Sequence, residues 1–291
     1  MAEKLGIMVC GHGSRNQNAA KEFAVIAEAL RARNPHMPVE YGYLEFCNPV
    51  SSAGLDSLRE QGVTRVLVLP AYPQYSATTT ASVIDGVMNW AAKVRNLPEL
   101  RFINRYHDQA GYIEALKQRV QQHWLAHGRP DKLLMSFHGV PQRTLEMGDP
   151  YHCECHKTGR LLAEALGLKK DEYVVTFQSR FGKAKWLEPY TEPTLVAMAG
   201  QGVKKVDVIC PGFTSDCLET LEEIQQEAQE AFLHAGGESF SYIPCLNNHA
   251  QWIDALADIS LDHMQAWDLS APDAKALAAS RERALAHGSK I

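Results

Sequence analysis

Long hydrophobic runs are missing from this sequence. No apolar stretch approaches the roughly 20 residues that a bilayer-spanning helix requires. The opening Met1-Ala2-Glu3-Lys4 leads into a short strand-like run and then polar residues, without the apolar stretch and cleavage site of a secretory leader. Charge of one sign is also scarce: 29 Lys+Arg against 34 Asp+Glu give a net charge of -5. No run of basic residues occurs, so the expectation is no nucleic-acid partner. Cysteine is sparse, with seven scattered in 291 residues. An odd, dispersed set does not make a disulfide framework, and a reducing cytoplasm is the expected compartment. Gly11-His12-Gly13-Ser14 is too short to be a dinucleotide fingerprint. What is present is 45% hydrophobic, 22% charged and 8% aromatic. Those values exclude a disordered or collagen-like chain. The length suits one large α/β domain or two halves of roughly 140 residues.

Short apolar runs alternate with longer amphipathic ones. The first half reads as strands at Leu5–Cys10, 39–46, Val66–Leu69 and 101–106, with helices near 19–30, 51–61, 79–94 and 110–127. Gly62 and Gly128 close two of those helices. The pattern then restarts, with strands at 132–137, 173–177, 206–209 and 240–244. Helices are expected near 157–166 and 194–199, and from Leu218 through Phe232. A last helix is expected over 273–286. Strands alternating with helices imply parallel sheets covered on both faces. The expected fold class is therefore α/β, with two similar Rossmann-like halves. We place the division at 1–128 and 129–259, with 260–291 as a helical tail.

A faint internal repeat supports two halves. Ile7-Met8-Val9-Cys10-Gly11-His12-Gly13 resembles Leu133-Leu134-Met135-Ser136-Phe137-His138-Gly139, and the stretch from Gly62 to Pro70 resembles that from Gly202 to Pro211. Facing halves leave a cleft at the carboxyl ends of their strands, where open α/β sheets bind ligands. His12 and His138 both fall at such strand ends.

Several residues there are able to carry chemistry. His138 follows a buried strand and precedes Gly139-Val140-Pro141, so its imidazole is held on a rigid edge, where it can take a proton or bind a metal. The bland alternative is a histidine bonded to nearby backbone. Asp216 can cap the following helix with Glu219 as its capping-box partner. Glu219, Glu223 and Glu227 lie four apart on one drifting helical row, and either form an ordinary solvated face or pass ions and protons away from a cleft. Tyr72-Pro73-Gln74-Tyr75-Ser76 puts two aromatics and a hydroxyl at a cleft rim, which suits a flat apolar ligand. Cys153-Glu154-Cys155 is flanked by His152 and His156. The spacing is C-x-C rather than the C-x-x-C of common zinc sites. An iron–sulfur or zinc cluster would need Cys210, Cys217 and Cys245 to come close as well; simple reduced thiols are the alternative.

At this point the chain resembles the ferrochelatase family, which inserts ferrous iron into protoporphyrin. From about 66 to 255 the matching stretches are Leu69 through Ser76, Ser136-Phe137-His138-Gly139-Val140-Pro141, Gly148-Asp149-Pro150-Tyr151, Thr176 through Gly182, Trp186 through Thr191, and Pro211 through Glu223. About the first 65 residues resemble sirohydrochlorin cobaltochelatase instead, in Gly6 through Arg15 and Tyr41 through Phe46, so the chain reads as a chimera of two families that share a chelatase fold.

The resemblance implies that His138 and Glu219 bind the ferrous ion and accept protons, that Glu223 and Glu227 relay them, and that Tyr72, Tyr75, Arg180 and Trp186 shape or hold the porphyrin. His12 matches a cobaltochelatase metal ligand. Protoporphyrin IX or a related tetrapyrrole and ferrous iron, with cobalt as the alternative, are the implied partners. Arg15 and Arg33 are the basic residues that a carboxylate-rich tetrapyrrole would want at the rim. No organic cofactor is required, and membrane contact is at most peripheral. The alternatives are a sirohydrochlorin cobaltochelatase and a non-catalytic tetrapyrrole or metal carrier.

Overall fold

The computed structural model describes residues 3–13, 17–45, 47–269 and 273–289, without side chains over 17–23. The first half runs β1 (Leu5–Gly11), α1 (Gln17–Arg33), β2 (Val39–Tyr43), α2 (Ser51–Glu60), β3 (Arg65–Pro70), α3 (Thr80–Ala91), β4 (Glu99–Phe102) and α4 (Ala110–His127). The second half runs β5 (Lys132–His138), α5 (Gln142–Glu146), α6 (Tyr151–Leu166), β6 (Tyr173–Gln178), α7 (Thr191–Gly200), β7 (Lys205–Ile209) and α8 (Leu218–Leu221). A π-helical stretch (Glu223–Ala228), α9 (Gln229–His234), β8 (Ser239–Ile243), α10 (Ala250–His263) and α11 (Ala274–Ala286) complete it.

The strands form two four-stranded sheets, ordered β2-β1-β3-β4 and β6-β5-β7-β8, and every pairing is parallel. The two halves thus repeat one topology, and the fold is α/β with two similar halves. Central parallel strands are covered on both faces, which explains their unbroken apolar runs; all seven residues of β1 are buried. Successive side chains alternate between faces. Ile7, Val9, Leu133, Met135 and Phe137 therefore join one shared core. Met8 and Cys10 join a second core under α2 and α3, and Leu134 a third with Val206, Val208 and Phe232. In each sheet the order reverses beside the first strand, between β1 and β3 and between β5 and β7. Such switch points open a crevice at the strands' carboxyl ends.

Several boundaries differ from the sequence reading. The second strand stops at Tyr43; Phe46, at the end of the expected strand, lies outside the described residues. The fourth strand is Glu99–Phe102, earlier than 101–106. α6 starts at Tyr151, six residues before the expected 157, because its polar first turns carry no apolar period to mark them. α5 and α10 were not expected as helices. α10 packs across the halves against α1 and α4. Met264 and Trp267 are buried beyond it, and the Trp267 indole donates to Glu99 (3.0 Å) under the Arg101 guanidinium. The helix expected over 273–286 is present, capped by the Asp273 carboxylate, and buries none of its residues.

Candidate active site

One cavity of about 720 Å³ opens between the halves. Its walls come from the chain just past β1 (His12, Gly13), β3 (Ala71, Tyr72, Gln74), β5 (His138 to Pro141) and β7 (Gly212 to Ser215), the four strands that flank the switch points. Thr78 and Thr79 before α3, Tyr151 of α6, the 181–184 loop, Trp186, and Cys217 with Glu219 close it.

His138 is the last residue of β5. Its Nδ1 lies 2.6 Å from the Gly139 carbonyl. A carbonyl only accepts, so Nδ1 carries a proton, and in the ring's neutral form the lone pair is on Nε2. Trp186 and Phe213 flank the imidazole, with ring centroids 6.4 and 6.3 Å away. Tyr151 donates its hydroxyl to the His138 carbonyl at 2.8 Å. Gly139 is needed for closeness: a Cβ there would lie 2.8 Å from the Gln178 carbonyl and 3.1 Å from the Trp186 ring.

Glu219 reaches the same cavity from the first turn of α8. The expected capping box is displaced by one residue. Cys217 is the N-cap, and Thr220 completes the box by accepting from the Cys217 N–H at 3.0 Å. Asp216 does not cap, because its carboxylate is committed elsewhere. It accepts from the Tyr242 hydroxyl (2.5 Å), the Cys245 N–H (3.1 Å) and the Asn247 amide (2.7 Å). That displacement leaves the Glu219 carboxylate without a capping duty, in the cavity wall. Burial and the neighbouring Glu219 hold the Cys217 thiol well above its usual pKa, so it stays protonated.

Beneath the site lies a buried polar chain. Ser136 donates to the Gln178 side-chain oxygen (2.7 Å), and the Gln178 amide donates to the Glu219 carbonyl (2.7 Å). Glu223 accepts from the Ser179 N–H (2.5 Å) and hydroxyl (2.6 Å). Ser179 has φ +63°, a left-handed conformation that a serine holds at a cost. The row of glutamates is interrupted: the Glu227 N–H bonds back to the Glu222 carbonyl five residues earlier, the π pattern often found at functional sites. Glu223 turns under the 179–184 loop while Glu227 is exposed.

The other expected site residues divide. Tyr72 and Trp186 line the cavity. Trp186 is buried and Tyr72 half-buried, and among the described residues the buried Tyr72 hydroxyl and Trp186 indole N–H have no hydrogen-bond partner. Burial pushes the Tyr72 phenol well above its ordinary pKa, so it stays neutral. His12 lines the opposite wall with its Nε2 3.1 Å from the Glu45 carboxylate, a partner the sequence reading missed. Tyr75 and Arg180 are not among the residues that line the cavity. The Tyr75 backbone N–H donates to the buried Glu154 carboxylate at 2.7 Å, and the Arg105 guanidinium lies 5.3 Å over its ring. The exposed Arg180 guanidinium lies 4.4 Å over the Tyr190 ring. Lys183, from the same loop, stands in the wall instead. Arg33 pairs with Asp254 and is not among the residues lining the cavity, and Arg15 lies outside the described residues.

The cysteine cluster does not assemble. Cys153 is exposed and Cys155 buried on opposite faces of α6. Among the described residues, no group of three or more His, Cys, Asp or Glu is placed to hold a metal ion. The cysteines named in that reading are free thiols.

A ferrochelatase family model matches residues 14–264. The Ferrochelatase of Polaromonas sp. (strain JS666 / ATCC BAA-500) is 60% identical over 269 residues, covering 92% of this chain and 73% of that protein. The Ferrochelatase of Methylibium petroleiphilum is 62% identical over 242 residues, 83% of this chain and 67% of that protein. Among solved structures, SirB from Bacillus subtilis with Fe3+ superposes with a TM-score of 0.69 at 17% identity, covering 92% of this chain and 100% of that one. CbiX, described as the terminal enzyme of siroheme biosynthesis in denitrifying bacteria, gives 0.60 at 15% identity, covering 88% and 98%. These two likenesses establish the chelatase fold. The chain belongs to the ferrochelatase family.

Proposed function

We propose that the cavity binds protoporphyrin IX and inserts ferrous iron into it. The observation that carries this reading is that His138 and Glu219, from a strand tip and a helix start, line one cavity whose other walls are mostly aromatic and apolar. Tyr43, Tyr72, Val140, Phe181, Trp186 and Phe213 suit a flat hydrophobic macrocycle. Insertion needs the ring bent so that pyrrole lone pairs leave the plane, and contacts remote from the metal offset that strain. As ferrous iron enters, two N–H protons leave and no oxidation state changes, so no organic cofactor is needed. The His138 Nε2 lone pair and the Glu219 carboxylate suit a divalent first-row ion and can each accept a proton. Glu223 and then the exposed Glu227 continue from Glu219 toward solvent as a relay. Lys183, in the cavity wall, is the cation for a propionate.

Sirohydrochlorin is the second reading, favoured by His12 in the wall. A carboxylate-rich ring wants several rim cations, however, and Lys183 is the only Lys or Arg among the described wall residues. The cobaltochelatase-like start is best confined to the turn around His12. The family match begins at residue 14, and an alignment of 269 residues must include part of the first 65. A continuous ferrochelatase chain is therefore proposed in place of a chimera joined near 65. Among the described residues no helix is long and apolar enough to cross a membrane. We place the reaction in the cytoplasm, with peripheral membrane contact at most through exposed Phe181 at the cavity edge.

The test is anaerobic insertion assayed with protoporphyrin and with sirohydrochlorin, each offered iron and cobalt. Iron–protoporphyrin turnover above the other three combinations is expected. Preference for cobalt and sirohydrochlorin, or tight porphyrin binding without product, overturns the reading.

A further inference from the structure

The histidines flanking Cys153-Glu154-Cys155 play no part in the cavity, yet they meet. His152 and His156 lie four residues apart in α6, so their side chains share one helix face. Their ring centroids are 4.5 Å apart. Phe177 of β6, 1% exposed, holds both: it stacks on His152 at 5.6 Å and 20°, and meets His156 edge-on at 6.0 Å and 64°. Neither imidazole makes a hydrogen bond or ion pair among the described residues. Burial pushes both below the usual histidine range, so both are neutral near pH 7 with lone pairs available. Two histidines at this spacing on a helix are a recurrent chelating pair for divalent transition metals, and imidazole suits zinc, cobalt, nickel, copper and iron.

We propose that His152 and His156 form a second divalent transition-metal site, distinct from the cavity pair His138 and Glu219. Cys153 lies one position round the helix and Cys155 faces the core, so the protein supplies two nitrogens and water fills the remaining positions. A site with open positions exchanges its ion, unlike a closed structural zinc site. It adjoins the cavity along the chain, since the preceding residue, Tyr151, lines the wall and bonds His138.

The experiment is equilibrium binding of Co2+ to the full chain, its His152→Ala/His156→Ala variant and a His138→Ala/Glu219→Gln variant, with helix content checked by circular dichroism. The His152/His156 variant is expected to bind one Co2+ fewer than wild type, whereas the cavity variant keeps that ion. A second measurement uses the unaltered protein: Zn2+ is expected to protect both histidines from carbethoxylation, read by peptide mass spectrometry. Equal Co2+ stoichiometry in wild type and the His152/His156 variant, or modification of both residues at the same rate with and without zinc, overturns the proposal.

Discussion

At the residue scale the site depends on which groups are already committed. Gly139 O fixes the His138 tautomer, and the Asp216 carboxylate is saturated by Tyr242, Cys245 and Asn247, which leaves Glu219 to the cavity. Sequence made the position of His138 at a strand end legible, because a strand followed by Gly and Pro has few ways to end. It mistook Asp216 for a cap, since the donors that claim that carboxylate come from residues 26 to 31 positions later. The same scale holds a second buried carboxylate, Asp207 of β7, which accepts from the Trp124 indole at 2.9 Å with His123 3.7 Å away. Burial pushes its pKa up from 3.8 to about 6. The folded chain therefore binds this proton more tightly than the unfolded one, so its contribution to stability falls as pH rises from about 4 to about 6, by no more than about 3 kcal/mol. His123, held low by burial, acts in the opposite sense, losing stability as pH falls below its usual range. Asp207→Asn keeps an acceptor for Trp124 and removes only the carboxyl contribution. Denaturant midpoints across that window should rise in the variant relative to wild type as pH increases; a constant difference would contradict the assignment.

At the element scale, the parallel strands and most helices were readable, because buried strands give unbroken apolar runs and helix ends carry glycines such as Gly167, at φ +68°. The break after α8 was not readable. Leu218, Leu221, Ile224, Ala228 and Phe232 fit a plain helix nearly as well as one interrupted by a π stretch. The interruption matters because Glu223 anchors Ser179 at the root of the loop that carries Phe181 and Lys183 into the cavity. Glu223→Ala leaves the Ser179 N–H and hydroxyl without that partner, and should cost about 1–3 kcal/mol of stability. It should also raise KM for porphyrin, because the loop loses its anchor. Thermal unfolding and steady-state kinetics check both, and an unchanged KM would mean that the loop holds its place without Glu223.

At the scale of the whole molecule, the internal repeat predicted two alike halves, and the identical strand orders bear this out. How the halves grip each other was not legible, since bonds across the seam such as Tyr75–Glu154 and Ala77–Asp149 join residues more than 70 positions apart. Two carboxylates of the second half hold the 72–80 wall of the first. Glu154, paired with Arg105, accepts from the Tyr75 N–H, and Asp149 accepts from the Ala77 N–H (2.8 Å) and the Ser76 hydroxyl (3.2 Å). Burial raises the Glu154 pKa. Glu154→Ala should widen the cavity and raise KM for porphyrin several-fold, with a smaller change in kcat, because Tyr72 shifts while His138 and Glu219 stay; a loss confined to kcat would contradict this.

The most direct measurement is anaerobic ferrous insertion into protoporphyrin by His138→Ala and by Glu219→Gln, with porphyrin binding followed by fluorescence in the same samples. Porphyrin should still bind while turnover falls by at least about a hundredfold in each. Turnover near wild type in either folded variant would contradict the claim that this imidazole and this carboxylate deliver the ion.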